Sequence, residues 1–121
     1  MPYEAYLSGY DAVAAHFASL SELYGYHIVA KDWQLSDAAL YELHERNNPS
    51  EAIKYLHAVL EQRPENIEYM LTLALAYEKS DALSEAFNTL NKINGQIGEE
   101  DEMYTDIAAR ISRISKLLSK N

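Results

Sequence analysis

The sequence predicts an all-α fold, an array of helical hairpins that stack into a superhelix. The main observation is an internal repeat: Glu51-Ala52 recurs as Glu85-Ala86, an offset of 34 residues. Further pairs keep that offset: Leu56 and Leu90, Val59 and Ile93, Gln62 and Gln96. Apolar residues also recur at spacings of three and four along most of the chain, whereas no strand pattern exceeds five residues. A fixed period of roughly 20 to 50 residues is typical of stacked supersecondary units.

Composition narrows the class of protein. The 121 residues carry a net charge of −9, which argues against nucleic acid and against an anionic membrane surface as partners. The chain has no cysteine, no apolar run of membrane-spanning length and no signal-peptide pattern. We therefore expect a soluble cytoplasmic protein that binds no nucleic acid and no membrane; if the chain is a fragment of a secreted parent, a signal in that parent would not be visible here.

The N-terminal third predicts two helices. Residues 1–10 indicate an irregular lead-in, and a helix should run from Asp11, its cap, to Tyr24. Gly25 suits the left-handed residue that ends a helix, and residues 26–30 should run extended. A second helix is expected over residues 32–46. The two apolar stripes are Val13, Phe17, Leu20 and Tyr24, and Leu35, Ala39, Leu40 and Leu43.

The third helix should begin at Pro49, capped by Asn48, with Glu51 placed to close a capping box. Its apolar face is Ala52, Ile53, Leu56, Val59 and Leu60, and Pro64 ends it. Asn66 should cap a fourth helix over residues 67–79. Because that helix is apolar almost all round, we expect it to be buried on every side and to form the centre of the fold.

Two more helices complete the prediction. The turn at residues 80–81 leads into a fifth helix over residues 82–93, which residues 94–98 should break with two glycines. The sixth should run from residue 99 to about 120, with acids first and bases last, as the helix dipole favours. Its apolar face is Tyr104, Ile107, Ala108, Ile111, Ile114, Leu117 and Leu118.

These positions resemble the tetratricopeptide (TPR) repeat. Counting from Trp33, Ala52 falls at the small position of the second helix and Pro64 at the terminal proline. Counting from Ile67, the family's Trp, Leu, Gly and Tyr positions hold Met70, Leu73, Ala74 and Tyr77. A third register begins at Asp101 and has no second helix, so residues 99–121 resemble a capping helix.

The resemblance implies a domain organisation of one domain with three parts. Residues 1–31 form a lead-in and packing helix, residues 32–98 two TPR-like repeats, and residues 99–121 the cap. Two repeats alone are marginal, so the first helix should cover Leu35 and Leu43 on the open side of the first repeat. Leu40 stands where the family has a small residue, so that hairpin should pack less tightly. Gly98 replaces the expected proline.

A second resemblance concerns the N-terminal third. Residues 11–17, 20–21 and 24–28, followed by Leu40-Tyr41, resemble the region just after the catalytic domain in esterases of the α/β-hydrolase superfamily, of the siderophore-esterase type. The resemblance implies that the chain is the C-terminal accessory domain of a larger hydrolase.

The residues themselves provide no catalytic centre. None of the four glycines forms the Gly-x-Ser-x-Gly elbow that such hydrolases use. His57 and Glu61 share a helix face, but two ligands do not make a metal site, and residues 99–102 lack the oxygen spacing of a calcium loop. We therefore predict no enzyme activity of its own, no cofactor and no metal.

The predicted binding surface is the concave face of the repeats, formed by the first helix of each hairpin. Its residues are Gln34, Asp37, Ala38, Tyr41 and Glu45, then Glu68, Leu71, Thr72, Leu75 and Lys79. Family members that clamp a terminal carboxylate use Lys, Asn and Arg there, so Asp37 and Tyr41 argue against such a clamp. Leu71 and Leu75 indicate an apolar, filled groove whose occupant is the N-terminal segment, a catalytic domain or a second copy of the chain.

The function predicted from sequence is a non-catalytic protein-interaction or dimerisation domain, appended to an esterase-like hydrolase. The alternative is a free-standing TPR adaptor that binds a peptide or helix in its groove. A homodimer remains open at this point.

Overall fold

Six helices make up most of the computed structural model, which describes residues 9–25 and 30–119. No strand occurs in these ranges, so the predicted all-α class is confirmed. The chain divides into two compact units, Met1–Pro64 and Glu65–Asn121. The first contains α1 (Tyr10–Tyr24), α2 (Asp32–Leu40) continued by a π-helical turn (Tyr41–Glu45), and α3 (Pro49–Gln62). The predicted domain boundaries at residues 31 and 98 stay predictions.

The start of α1 is held by a contact that is distant in sequence. The N-cap is Gly9, at φ 99°, rather than Asp11, which lies in the first turn. The backbone N–H of Tyr10 donates to Oε1 of Glu51 on α3 at 2.7 Å. The predicted capping box in α3 is therefore wrong, because the Glu51 side chain caps α1 instead. Asn48 does cap α3, accepting from the Glu51 N–H at 3.3 Å.

The far end of α1 follows the prediction, although the last residue of its apolar stripe does not. Gly25 adopts the left-handed conformation, and its N–H donates to the Ser21 carbonyl at 2.9 Å. Val13 is buried, whereas Tyr24, also assigned to the stripe, is 59% exposed. The remaining lead-in and the predicted extended segment lie largely outside the described residues; Ala30, at its end, is buried.

In α2, one residue of the predicted stripe is misplaced. Leu35, Ala39 and Leu43 are buried, but Leu40 is 39% exposed. At 100° per residue, Leu40 lies about 140° round the helix from Leu35, off the packed face. It therefore lies on the outer surface rather than between the helices, which removes the reason for expecting a looser hairpin. The structure instead buries Glu42, which is seven residues from Leu35 and pairs with Arg46 at 3.0 Å.

The core of the first unit forms where α2 packs against α3. Ala52, Leu56 and Val59 are fully buried, as predicted, while Ile53 and Leu60 are half-buried. The structure also buries Tyr55, whose ring meets that of Tyr10 edge-on at 5.4 Å. This aromatic contact and the Glu51 cap attach α1 to α3.

The second unit contains α4 (Ile67–Lys79), α5 (Leu83–Gln96) and α6 (Tyr104–Ser119), with α5 packed against both others. Asn66 caps α4 as predicted, accepting from the Tyr69 N–H at 3.0 Å. Complete burial of α4 is wrong. Only one side of it is buried: Met70, Leu73, Ala74 and Ala76. Its half-exposed apolar residues include Leu71 and Leu75.

The ends of α5 and α6 differ from the predictions for local reasons. Helix α5 continues past residues 94–95, because one exposed glycine costs only about 1 kcal/mol and the buried Ile93 anchors the turn. Helix α6 starts at Tyr104, not residue 99. The Asp101 carboxylate accepts from the Met103 N–H at 2.8 Å, a local bond that competes with helix formation. On α6, Ile107 and Ile114 are buried and Leu117 is exposed.

Candidate functional site: the cleft between α4 and α6

The second unit contains an open cleft of about 440 Å³ between α4 and α6. Its apolar lining comes from Leu71 and Leu75 of α4, Ile107 of α6, and Met103 just before α6. Helix α5 packs against both α4 and α6 and so holds these two helices beside each other. The half-buried leucines leave part of their surface available to a ligand.

The polar side of the cleft is an ion-pair cluster centred on Glu78. Its Oε2 accepts from Arg110 at 2.5 Å and its Oε1 from Arg113 at 2.6 Å. The Glu78 and Arg110 side chains are 14% and 19% exposed, whereas Arg113 is 62% exposed. Because charged hydrogen bonds strengthen as water is excluded, the Glu78–Arg110 pair fixes α6 against α4 more than the Arg113 pair does.

The predicted groove residues of the second unit divide into two groups. Leu71, Thr72 and Leu75 line the cleft, and the Thr72 hydroxyl donates to the Glu68 carbonyl at 3.0 Å. Glu68 and Lys79 are exposed and do not line it. The α6 side was missed by sequence reasoning. The groove positions counted from Asp101 would have identified Asp106 and Arg113, two residues of that side.

The predicted groove residues of the first unit lie on α2 and the π turn. Asp37, Tyr41 and Glu45 are exposed, and Ala38 is buried. The Gln34 Oε1 accepts from the Lys31 N–H at 3.0 Å, so this side chain supports the start of α2. The role of all ten predicted groove residues in binding stays a prediction.

A second cleft, of about 550 Å³, lies within the first unit between α1 and α3. Val13 and Phe17 of α1 share its lining with Leu35 of α2, as expected if α1 covers that side of the hairpin. The Gln62 side chain closes one edge by donating to the Ala30 carbonyl at 2.7 Å. These contacts suit the packing of α1 more than the binding of a ligand.

Shifted pKa values occur away from the α4–α6 cleft. Burial, followed by the charge of Glu85, raises the pKa of Tyr77 above its ordinary value of 10.0. The charges of Glu51 and then Asp11 raise the pKa of Lys54, whose side chain is exposed. Within the described residues, no three His, Cys, Asp or Glu side chains are grouped so that they could hold a metal ion.

Comparison with known proteins gives one match. The profile of the tetratricopeptide repeat family matches residues 43–111, from the π turn to α6, and so includes both sides of the cleft. No significant match was found to a curated protein or to a solved structure. Among the described helices, none has the length and apolar character needed to cross a membrane.

Proposed function

We propose, because the chain belongs to the tetratricopeptide repeat family, that it is a non-catalytic interaction domain whose α4–α6 cleft holds apolar side chains of a partner protein. Repeats of this family generally mediate protein–protein interactions. The observation that carries the proposal is the cleft itself, in which Leu71 and Leu75 remain half-exposed beside an ordered ion-pair cluster.

The size and lining of the cleft favour a short apolar anchor. A volume of about 440 Å³ is within the usual range of ligand sites, roughly 300 to 1,000 Å³. Covering the exposed leucine surface contributes about 25 cal/mol of favourable binding free energy for each Å² of apolar surface removed from water. The Glu78 cluster can orient the backbone of the anchor, because each arginine carries five N–H donors. Apolar contact would thus supply affinity and the polar side would supply orientation.

The finer part of the proposal concerns the identity of the partner. We propose that it is the catalytic domain of an esterase-like α/β hydrolase in the same polypeptide, which makes this chain an accessory domain for docking or dimerisation. The support is the resemblance of residues 11–28 to the segment that follows such catalytic domains. The gene settles this part: a reading frame without a hydrolase domain contradicts the esterase assignment and leaves the cleft proposal standing.

The cleft can be tested by labelling, because the chain contains no cysteine. Thr72→Cys places an environment-sensitive fluorophore in the cleft, and Ser84→Cys places the same fluorophore on the exposed surface of α5 as a control. Two soluble peptides serve as probes, one with two leucines and one with serines in their place. We expect a saturable blue shift at position 72 with the leucine peptide alone.

Leu75→Arg provides the matched loss of function, since it introduces a charge into the apolar floor. It should weaken leucine-peptide binding by about tenfold or more, the equivalent of losing about 1.4 kcal/mol. An equal response at positions 72 and 84, or an unchanged affinity in Leu75→Arg, contradicts the cleft as the binding site. Sedimentation velocity on the same samples tests dimerisation directly.

A further inference from the structure

The exposed face of α2 and of the π turn that continues it carries a row of apolar side chains. Trp33, Leu40 and Tyr41 are 56%, 39% and 42% exposed. With Asp37 and His44 they occupy positions i, i+4, i+7, i+8 and i+11, which is one face of a helix. Single apolar residues on a surface are ordinary, whereas several that share one helix face are a candidate contact site. We call these five residues the α2 stripe.

The segment that carries the α2 stripe is acidic, although the basic residues Lys31 and Arg46 flank it. Residues 32–45 contain four carboxylates and neither lysine nor arginine. Glu42 is buried and paired with Arg46, and Asp32 lies 3.6 Å from Arg63. Asp37 lies within the stripe and is exposed, as is Glu45 nearby. A positively charged partner is therefore favoured, whereas a second copy of this chain would bring a net charge of −9.

The order of residues in the α2 stripe indicates which cation fits best. Trp33, Asp37 and Tyr41 follow one another at intervals of four residues, about 6 Å along the helix axis. A guanidinium group stacks flat on an aromatic ring and pairs with a carboxylate through its planar fork, a geometry that the compact lysine ammonium lacks. We propose that the α2 stripe binds an arginine-bearing amphipathic helix of another protein, whose apolar side chains cover Leu40. The proposal is independent of the α4–α6 cleft.

Trp33 makes the test direct, because it is the only tryptophan in the chain. Two synthetic helical peptides share the same leucines; one carries arginine at every fourth position and the other glutamate at those positions. The arginine peptide should shift Trp33 emission to shorter wavelength and bind about tenfold more tightly than the glutamate peptide. Raising NaCl from about 0.05 M to 0.3 M should weaken that binding severalfold, since the contact is exposed.

Asp37→Lys is the decisive variant, because the exposed side chain leaves the fold intact and keeps the Trp33 signal. It should reduce affinity for the arginine peptide about tenfold, whereas Glu99→Lys, the same charge change in an exposed loop, should leave it within about twofold. Equal binding of the two peptides, no binding of either, or no effect of Asp37→Lys overturns the proposal. A Trp33 shift caused by protein concentration alone overturns it too, because a second copy would then cover this face.

Discussion

Replacing Glu78 by glutamine should destabilise the second unit by about 1–2 kcal/mol, a value that follows from the exposure of its two partners. Arg113 is 62% exposed, so its ion pair counts as a surface pair, worth about 0–1 kcal/mol. Arg110 is 19% exposed, and breaking a fully buried pair costs about 3–5 kcal/mol. Partial solvation reduces the cost, and glutamine keeps one carbonyl acceptor for a neutral hydrogen bond. The loss should therefore fall between the surface and buried limits.

The assay for Glu78→Gln is urea unfolding followed by circular dichroism and by Trp33 fluorescence. Circular dichroism reports the helices of both units, whereas Trp33 fluorescence reports the first unit alone. A loss of stability in the second unit should therefore appear in the circular dichroism curve. Glu68→Gln, on the exposed side of α4, is the matched control and should stay within about 0.5 kcal/mol. A double-mutant cycle with Arg110→Met should give a coupling of at least about 0.5 kcal/mol. A Glu78→Gln variant as stable as its control would refute the reasoning.

Five further substitutions test three features that the sequence did not predict. Gly9→Ala should destabilise the attachment of α1, because φ at residue 9 is 99° and a Cβ there would stand 2.7 Å from the Glu51 Oε1. Glu51→Ala removes the cap of the Tyr10 N–H and should cost about 1 kcal/mol of stability. Amide hydrogen exchange in α1 measures both effects. Asp81→Gly should raise the free energy of unfolding by up to about 1 kcal/mol, since residue 81 has φ 66°, while Asp81→Ala should lower it in the same urea titration. Since the folded-state pKa of Tyr77 lies above 10.0, the free energy of unfolding should be unaffected well below pH 10 and should fall as pH rises through 10 towards that pKa. In urea titrations, Tyr77→Phe should lack this part of the alkaline loss of stability. An identical loss in the variant contradicts the raised pKa of Tyr77.

Helix existence could be predicted from sequence because apolar periodicity and local caps act within a few residues. Asn48 and Asn66 were correctly identified as caps, since each bonds to an N–H three residues ahead. The start of α1 could not be found this way, because its cap is a glutamate 41 residues further along the chain. Likewise, propensity alone cannot decide whether a glycine such as Gly95 ends a helix, because packing at Ile93 offsets its cost.

The candidate site was predictable in part for a related reason. Leu71, Thr72 and Leu75 followed from repeat register, which specifies the side of a helix. The Glu78 cluster depends on two arginines 32 and 35 residues away, and which donors meet is decided by packing. Buried Glu42 did leave a signal in the sequence, since it is seven residues from Leu35 and four before Arg46, but an apolar stripe search overlooks a carboxylate.

The two proposed surfaces show what a repeat position determines and what it does not. Asp37 of α2 and Tyr41 of the π turn become Leu71 and Leu75 of α4 at the 34-residue offset, and each pair occupies the same side of its helix. In α2 these positions give an exposed acidic and aromatic surface; in α4 they give the apolar lining of a cleft. Register therefore determines on which side of its helix a residue lies, whereas side-chain chemistry determines what that side can bind. On physical grounds the two halves of the chain should prefer different ligands, an arginine-bearing helix for α2 and an apolar anchor for the α4–α6 cleft.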